Sequence, residues 1–279
     1  MSARALDHLV LPVAGLGAAR SRLGQLGFTL APDGVHPFGT VNACVYFADG
    51  TFIEPLATGD AAAIEAATAA GNSFVLSDRR FRARRAEGLS ALVLATDDAE
   101  ADHARFAMLD VSGGPMLEFS RPSLDRDGKA DTATFRLAFA SPDGGADAFF
   151  FVCERRKVPA IDRSALERHA NGATTIAEVR AEAADPHRFA AFLATLSGGA
   201  TSDGDGFVEV ALANATVRIL RKPDARAPRL TAIVYGVRDL AVTAALLQAG
   251  AIACRRREGR LHVPAAEGQG VEFMFEEMP

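Results

Sequence analysis

The sequence has few cysteines, and they do not recur in pairs. Cys44, Cys153 and Cys254 lie far apart, and no Cys-x-x-Cys motif occurs. A disulfide framework and a thiolate zinc site both require paired cysteines, so neither is expected. The chain also lacks an apolar run near the ~20 residues that span a bilayer, and no basic segment followed by an apolar one opens it. We therefore expect no membrane partner and a reducing, cytoplasmic setting.

An excess of positive charge is missing as well. The chain carries 30 Lys and Arg against 35 Asp and Glu, a net charge of −5, which gives no general attraction to nucleic acid. What is present is ordinary for a globular protein with a sizeable core, with 49% hydrophobic and 23% charged residues. A length of 279 residues allows one large domain or two of about 140.

One unit of secondary structure recurs along the chain. Residues 6–13, LDHLVLPV, predict a strand, and residues 14–28 predict a helix with one apolar stripe. Residues 41–48 and 51–57 then predict two strands joined by an Asp-Gly turn, which is a strong hairpin signal. The same order restarts near residue 89, faintly near residue 174, and clearly near residue 230. We expect two halves, 1–156 and 172–279, joined by a linker over 157–171.

Alternation along the strands indicates which side chains share a face. In the first strand Leu9 and Leu11 are assigned to the helix side, so His8 points to the opposite, concave side. Glu54 holds the matching place in the last strand of the unit, and the two side chains are expected to converge. The residues expected on the concave face are Leu6, His8, Val10, Phe52, Glu54 and Leu56.

A strand–helix–three-strand unit with a histidine in its first strand and a glutamate in its last resembles the vicinal oxygen chelate superfamily. Its members include glyoxalase I, extradiol dioxygenases and bleomycin-resistance proteins. Residues 26–57 resemble the bacterial glyoxalase-like branch, in which an "HP.GT.N" segment precedes the third strand. The matching residues here are His36, Pro37, Gly39, Thr40 and Asn42. The general pattern covers nearly the whole chain, and the specific motif covers the first unit.

The resemblance implies an α+β fold in which four βαβββ modules pair into two cupped mixed β-sheets with helices on the outside. It also implies one divalent metal (Zn, Ni, Mn or Fe) held by His8, Glu54 and Glu154, with Glu54 as the catalytic residue. The chain departs from the family where module two has Ala91, and module four Ala232, in place of the first-strand histidine. This departure leaves open that no metal is bound.

Four further residues are candidates for contact with a substrate. His36 belongs to the family segment, and Asn42 and Tyr46 share one face by alternation. Arg136 lies opposite an apolar face of its predicted strand, where it could hold an anionic group if that side is concave.

Two functions follow from these residues. One is a metal-dependent lyase, isomerase or dioxygenase that acts on a small oxygenated molecule. The other is a metal-free protein that binds or sequesters a small molecule in the same cup. The C-terminal half could be a structural duplicate without a site. We expect a monomer or homodimer, with module one paired either to module two or to module four.

Overall fold

The computed structural model describes residues 2–124, 130–158 and 162–278. Within these ranges the chain forms two β-sheets and six helices. The strands of the first sheet are β1 (Leu6–Pro12), β2 (Gly34–Val35), β3 (Thr40–Asn42), β4 (Val45–Tyr46), β5 (Phe52–Thr58), β6 (Ala91–Thr96), β7 (Leu117–Leu124), β8 (Ala130–Ala140) and β9 (Phe149–Lys157). Those of the second are β10 (Ala173–Ala183), β11 (Thr201–Gly204), β12 (Phe207–Ala211), β13 (Thr216–Arg221), β14 (Arg229–Val237), β15 (Arg255–Arg257), β16 (Arg260–Val263) and β17 (Glu272–Glu277).

The helices follow the first strand of each unit, with one inserted pair. They are α1 (Leu16–Gln25), α2 (Ala61–Ala69), α3 (Ser73–Arg82), α4 (Ala99–Met108), α5 (Pro186–Ser197) and α6 (Leu240–Ala249). Five of the six begin after an Asp or Asn whose side chain accepts hydrogen bonds from backbone N–H groups of the first turn. These caps satisfy donors that a helix start otherwise leaves unpaired. α2 and α3 form the insertion between the first two modules.

Each sheet is built from two modules that are adjacent in sequence. The first sheet has the order β2-β3-β5-β1-β6-β9-β8-β7, with β4 also paired to β5. The second has the order β11-β12-β13-β10-β14-β17-β16-β15. The predicted α+β fold of βαβββ modules in two cupped mixed sheets is confirmed. Module one pairs with module two, and module three with module four.

Strand register shows which positions of the modules correspond. In module one Val10 pairs with Glu54, and in module two Val93 pairs with Phe151. The central strands β1 and β6 are antiparallel, with His8 beside Val93. Aligning LDHLVLPV with LSALVLAT makes Phe151 the module-two counterpart of Glu54.

Strict alternation along β1 predicts the residues of its concave face correctly except at one position. Leu9 and Leu11 lie in the core beneath the helices, and Val10 packs in a separate apolar cluster on the other face. Leu6 was expected with His8 but lies in the helix-side core. The reason is a shift in register between Leu6 and His8, which changes the face that the earlier residue presents.

The helix-covered faces of the two sheets share one apolar core. Its members come from both halves of the chain, and Phe28 and Tyr235 have ring centroids 5.0 Å apart. The segment before β10 is tied to the first half, because Asn171 is fully buried and its Nδ2 donates to the Leu26 carbonyl (2.8 Å). The concave faces are left free for the side chains described next.

Candidate functional site

The concave face of the first sheet encloses a cavity of about 410 Å³. Aromatic side chains make up much of its wall, and polar side chains from β1, β3 and β5 form its floor. The aromatic residues are Phe38, Tyr46, Phe52, Phe74, Phe119, Phe135 and Phe151. A concave, mainly apolar cavity with a few convergent polar groups is typical of a small-molecule site.

Glu54 lies at the centre of the floor and is 5% exposed. Asn42 Nδ2 donates to Glu54 Oε1 at 2.6 Å. The Nε2 atom of His8 lies 3.7 Å from Oε2, and the Nε2 atom of His36 lies 3.6 Å from Oε1. The carboxylate therefore sits between two imidazole rings. β1 and β5 bring His8 and Glu54 together, as the sequence predicts.

The outer nitrogen of each imidazole is held by a neighbour. His8 Nδ1 lies 2.5 Å from Asp7 Oδ1, and Arg155 Nη2 donates to the same carboxylate at 2.9 Å. His36 Nδ1 lies 2.8 Å from the Thr40 hydroxyl. These contacts fix both rings and direct each Nε2 toward Glu54 and the cavity.

Burial and local charge shift the acidities of these groups in different directions. Burial raises the pKa of Glu54, although His8, Arg121 and Asn42 oppose the shift. Burial lowers the pKa of His36 to about 3, and the charges of Arg121 and His8 add to the effect. His36 is therefore a neutral imidazole near pH 7. Burial alone would raise the pKa of Asp7, but His8 and Arg155 together lower it.

Asn42, Cys44 and Tyr46 all line the cavity, as alternation along this segment predicts. Burial first, and the Glu54 charge second, raise the pKa of the Cys44 thiol to about 12. A thiol with so high a pKa is not a nucleophile near pH 7. Asn42 is the member of this set that contacts the carboxylate.

Two predicted site residues lie outside this cluster. Glu154 Oε2 accepts from the Ala99 backbone N–H (3.2 Å) at the start of α4, so it caps a helix on the other side of the sheet. Glu154 is three residues from Phe151, an odd spacing that places the two on opposite faces.

Arg136 was a candidate for substrate contact on the condition that its face of the strand is concave, and that face is the outer one. Its guanidinium contacts Glu118 and Glu100, while its neighbours Phe135 and Leu137 line the cavity. Alternation defines two faces of β8 but does not say which is concave. The apolar face of β8 turns toward the aromatic cavity, so the condition set for Arg136 is not met.

The residues do not fit the metal site that the resemblance implies. In the ranges that the structure describes, no group of three or more His, Cys, Asp and Glu side chains is placed to hold a metal ion. The module-two positions that correspond to His8 and Glu54 are Ala91 and Phe151, neither of which is a ligand. Among the described residues, the His and carboxylate side chains at the floor, Asp7, His8, His36 and Glu54, thus come from module one.

Sequence reasoning missed three arginines of the cavity wall, Arg121, Arg155 and Arg163. Arg155 is paired with Asp7, and the guanidinium of Arg163 lies 4.4 Å from the Tyr46 ring. The position of Arg155, two residues beyond Cys153 on a strand whose inward face is set by Phe151, could have identified it. Arg121 lies two residues beyond Phe119 on β7, a strand that the sequence analysis did not predict.

No helix of the described ranges is long and apolar enough to cross a membrane. A family model described as a glyoxalase-like domain matches residues 6–197. That range contains the whole first sheet and continues through α5. No curated protein matches the chain.

Solved structures resemble the chain over almost its full length at low sequence identity. A hypothetical protein from Staphylococcus aureus has a TM-score of 0.69 and 13% identity, covering 98% of this chain and 99% of that one. A mutant 4-hydroxymandelate synthase from Streptomyces coelicolor has a TM-score of 0.65 and 12% identity, covering 99% and 93%. The Mn(II)-bound glyoxalase from Novosphingobium aromaticivorans has a TM-score of 0.58 and 14% identity, covering 99% and 82%.

Proposed function

This chain belongs to the glyoxalase-like domain family, within the vicinal oxygen chelate superfamily, and on that premise we propose that its N-terminal cup is the active site of a proton-transfer enzyme. The substrate is a small oxygenated molecule with a ring-sized apolar part. The reaction is of the isomerase or lyase type. Glu54 removes a proton from carbon next to an oxygen-bearing carbon.

One observation carries the proposal. Glu54 is a buried carboxylate with a raised pKa, and it opens onto a cavity with an aromatic wall. A general base works best when its pKa lies near the working pH, and burial moves a carboxylate in that direction. In a site built only for packing, an apolar side chain would be more stable at this position.

The neighbours of Glu54 have separate tasks in this reaction. Asn42 holds Oε1 by its amide (2.6 Å), which leaves Oε2 to receive the proton. His8, fixed by Asp7, lies 3.7 Å from that oxygen and can exchange a proton with it or with a substrate hydroxyl. The aromatic wall excludes water and orients the apolar part of the substrate.

A metal-dependent enzyme of the kind first expected is the second candidate. The observation in its favour is that His8 Nε2 and His36 Nε2 both face Glu54 oxygens, 3.7 and 3.6 Å away. Imidazole and carboxylate suit Zn, Ni, Mn or Fe. Elemental analysis of protein purified without chelator or metal-affinity tag separates the candidates. Retention of one ion per chain, lost in His8→Gln, would favour the metal.

Isomerisation of an α-hydroxy ketone in D2O tests the proton transfer. With 1-hydroxy-1-phenylacetone as the probe, the wild type should incorporate solvent deuterium at the carbon that gains a hydrogen, faster than buffer alone and in the presence of EDTA. Glu54→Gln keeps the shape but cannot accept the proton, and should slow incorporation by about 10²–10⁴-fold. Glu65→Gln, an exposed matched change on α2, should leave the rate unchanged.

Two results would count against the enzyme. Deuterium incorporation equal in wild type and Glu54→Gln would remove Glu54 from the reaction. Binding of the probe, seen by ligand-observed NMR, with no incorporation above buffer would favour the metal-free binding protein.

A further inference from the structure

We propose that Arg121 is the anion-binding residue of the cup and selects ligands in which a carboxylate or an enolate oxygen is attached to the apolar ring. This inference rests on the proposed function and adds the ligand's charge to it. Arg121 lies on β7 and comes from module two, whereas the polar floor comes from module one.

The guanidinium of Arg121 reaches the floor through a gap left by Gly34. A Cβ placed on Gly34 would lie 2.7 Å from Arg121 Nη1 and 2.5 Å from Asn42 Oδ1. These distances are shorter than any normal contact with a Cβ, so only glycine allows both groups to stay where they are. Arg121 is therefore held beside the amide that fixes Glu54.

Unlike Arg155, Arg121 forms no ion pair with any residue that the structure describes. Arg155 forms an ion pair with Asp7 at 2.9 Å. In the described residues no carboxylate lies within 4.0 Å of the Arg121 guanidinium, whose Cζ is 5.7 Å from the centre of the Phe135 ring. A half-buried guanidinium that faces a cavity offers up to five N–H donors to a planar anion.

The surroundings of Arg121 respond to its charge. It lowers the pKa of His36 and opposes the burial that raises the pKa of Glu54. A positive charge beside a general base would stabilise the oxyanion that forms when the base takes a proton from carbon. Module two has Ala91 and Phe151 at the positions where metal ligands would stand. In this cup Arg121 would supply positive charge from module two in place of a metal bound there.

Arg163 is the alternative within the same cavity. Its guanidinium lies 4.4 Å from the centre of the Tyr46 ring, a closer cation–π contact than the one between Arg121 and Phe135 (5.7 Å). Tyr46 is on β4, two strands from β1. The position of Arg121 beside Gly34 and Asn42 therefore favours Arg121.

Binding of benzoate and benzamide, measured by calorimetry and ligand-observed NMR, tests the inference. The two probes have the same ring and nearly the same shape and differ in charge. Wild-type protein should bind benzoate at least about tenfold more tightly than benzamide. Arg121→Gln should weaken benzoate at least about tenfold and change benzamide less than about twofold. Gly34→Ala should weaken benzoate in the same direction by displacing the guanidinium.

Two controls keep the result specific. Arg256→Gln removes an exposed arginine of β15 and should leave both affinities unchanged. Arg163→Gln should weaken benzoate less than Arg121→Gln. An unchanged benzoate-to-benzamide ratio in Arg121→Gln, or a larger loss in Arg163→Gln, would overturn the inference while leaving the proposed site intact. Failure of the wild type to bind benzoate more tightly than benzamide would overturn the inference, while deuterium incorporation into 1-hydroxy-1-phenylacetone tests the proposed function separately.

Discussion

The two cups have the same strand register and different chemistry at equivalent positions. His8 and Glu178 each pair with a valine of the neighbouring central strand, Val93 and Val234. The four equivalent floor positions are His8, Glu54, Ala91 and Phe151 in the first cup and Glu178, Arg218, Ala232 and Met274 in the second.

The C-terminal cup compensates its buried carboxylate completely. Glu178 is 4% exposed, and its oxygens accept from Arg180 Nε at 2.7 Å and Arg260 Nη2 at 3.1 Å. Arg218 Nη2 lies 3.5 Å away. In the N-terminal cup Glu54 has an amide, two imidazoles and a cavity in place of three guanidinium groups.

The difference shows what each carboxylate contributes. Burial alone would raise the pKa of Glu178, but its arginine partners lower it, so the ionised form is the stable one. The pKa of Glu54 moves the other way because burial outweighs its partners. The C-terminal cup uses the carboxylate of its floor for ion pairing. The N-terminal cup retains Glu54, a buried carboxylate whose charged form is disfavoured, beside a cavity large enough for a ligand.

The largest expected effect comes from making the same change in both cups. Glu178→Gln leaves three arginines without their shared carboxylate and should lower the free energy of unfolding by about 2–4 kcal/mol, allowing for their partial exposure. Glu54→Gln removes a disfavoured buried charge and should change it by less than about 1 kcal/mol, or raise it. Urea denaturation at pH 7 with EDTA measures both. An equal loss of unfolding free energy in Glu178→Gln and Glu54→Gln would contradict the proposed difference between the two cups.

The free energy of unfolding should respond to acid differently through His36 of the first cup and His262 of the second. The pKa of His36 is lowered to about 3, so the unfolded chain takes up a proton below about pH 6.5 while the folded chain does not. Stability conferred by neutral His36 is present above pH 6.5 and is lost as the pH falls toward 3. The change is at most about 1.4 kcal/mol per pH unit.

His36→Gln should therefore gain stability relative to wild type between pH 6 and pH 4, measured by urea denaturation with EDTA. The control is His262→Gln in the second cup. His262 Nδ1 lies 3.0 Å from Glu272 Oε1, and its side chain is half-buried, whereas His36 is buried. That variant should not gain stability on acidification. A flat difference for His36→Gln would mean that its ring is not buried as described.

A smaller effect tests the missing module-two ligands. The ring centroids of Phe151 and His8 are 5.8 Å apart, so Phe151→His would bring a third imidazole near Glu54. We expect this variant to bind Zn or Ni at least about tenfold more tightly than wild type. Met274→His at the equivalent place in the second cup has Arg-paired Glu178 as its neighbour and should show no gain. Calorimetric titration compares them, and equal affinities would break the comparison.

The sequence predicts much of the fold because the repeated unit follows from strand periodicity, an Asp-Gly turn and one apolar helix stripe. Alternation also predicts the convergence of His8 and Glu54, since both lie in the middle of regular strands. It misplaces Leu6, where the register shifts, and it leaves the orientation of Arg136 open, because either face of its strand could be concave.

Other parts of the site depend on contacts between distant segments. Glu154 lies within β9 on the face opposite Phe151, and its role as a helix cap depends on where α4 begins. The approach of Arg121 to Asn42 depends on the absence of a side chain at Gly34, which belongs to another module. A local pattern cannot show such a pair, because neither residue's own strand determines where the other lies.

The central claim is that the buried glutamates on the floors of the two cups, Glu54 and Glu178, serve opposite ends, and a carboxyl titration tests it most directly. Carbon-13 NMR of protein labelled at glutamate Cδ, with Glu54→Gln and Glu178→Gln to assign the signals, follows both groups in one sample. We predict that Glu54 titrates above the ordinary glutamate pKa and Glu178 below it. A pKa for Glu54 equal to or below that of Glu178 would contradict the account.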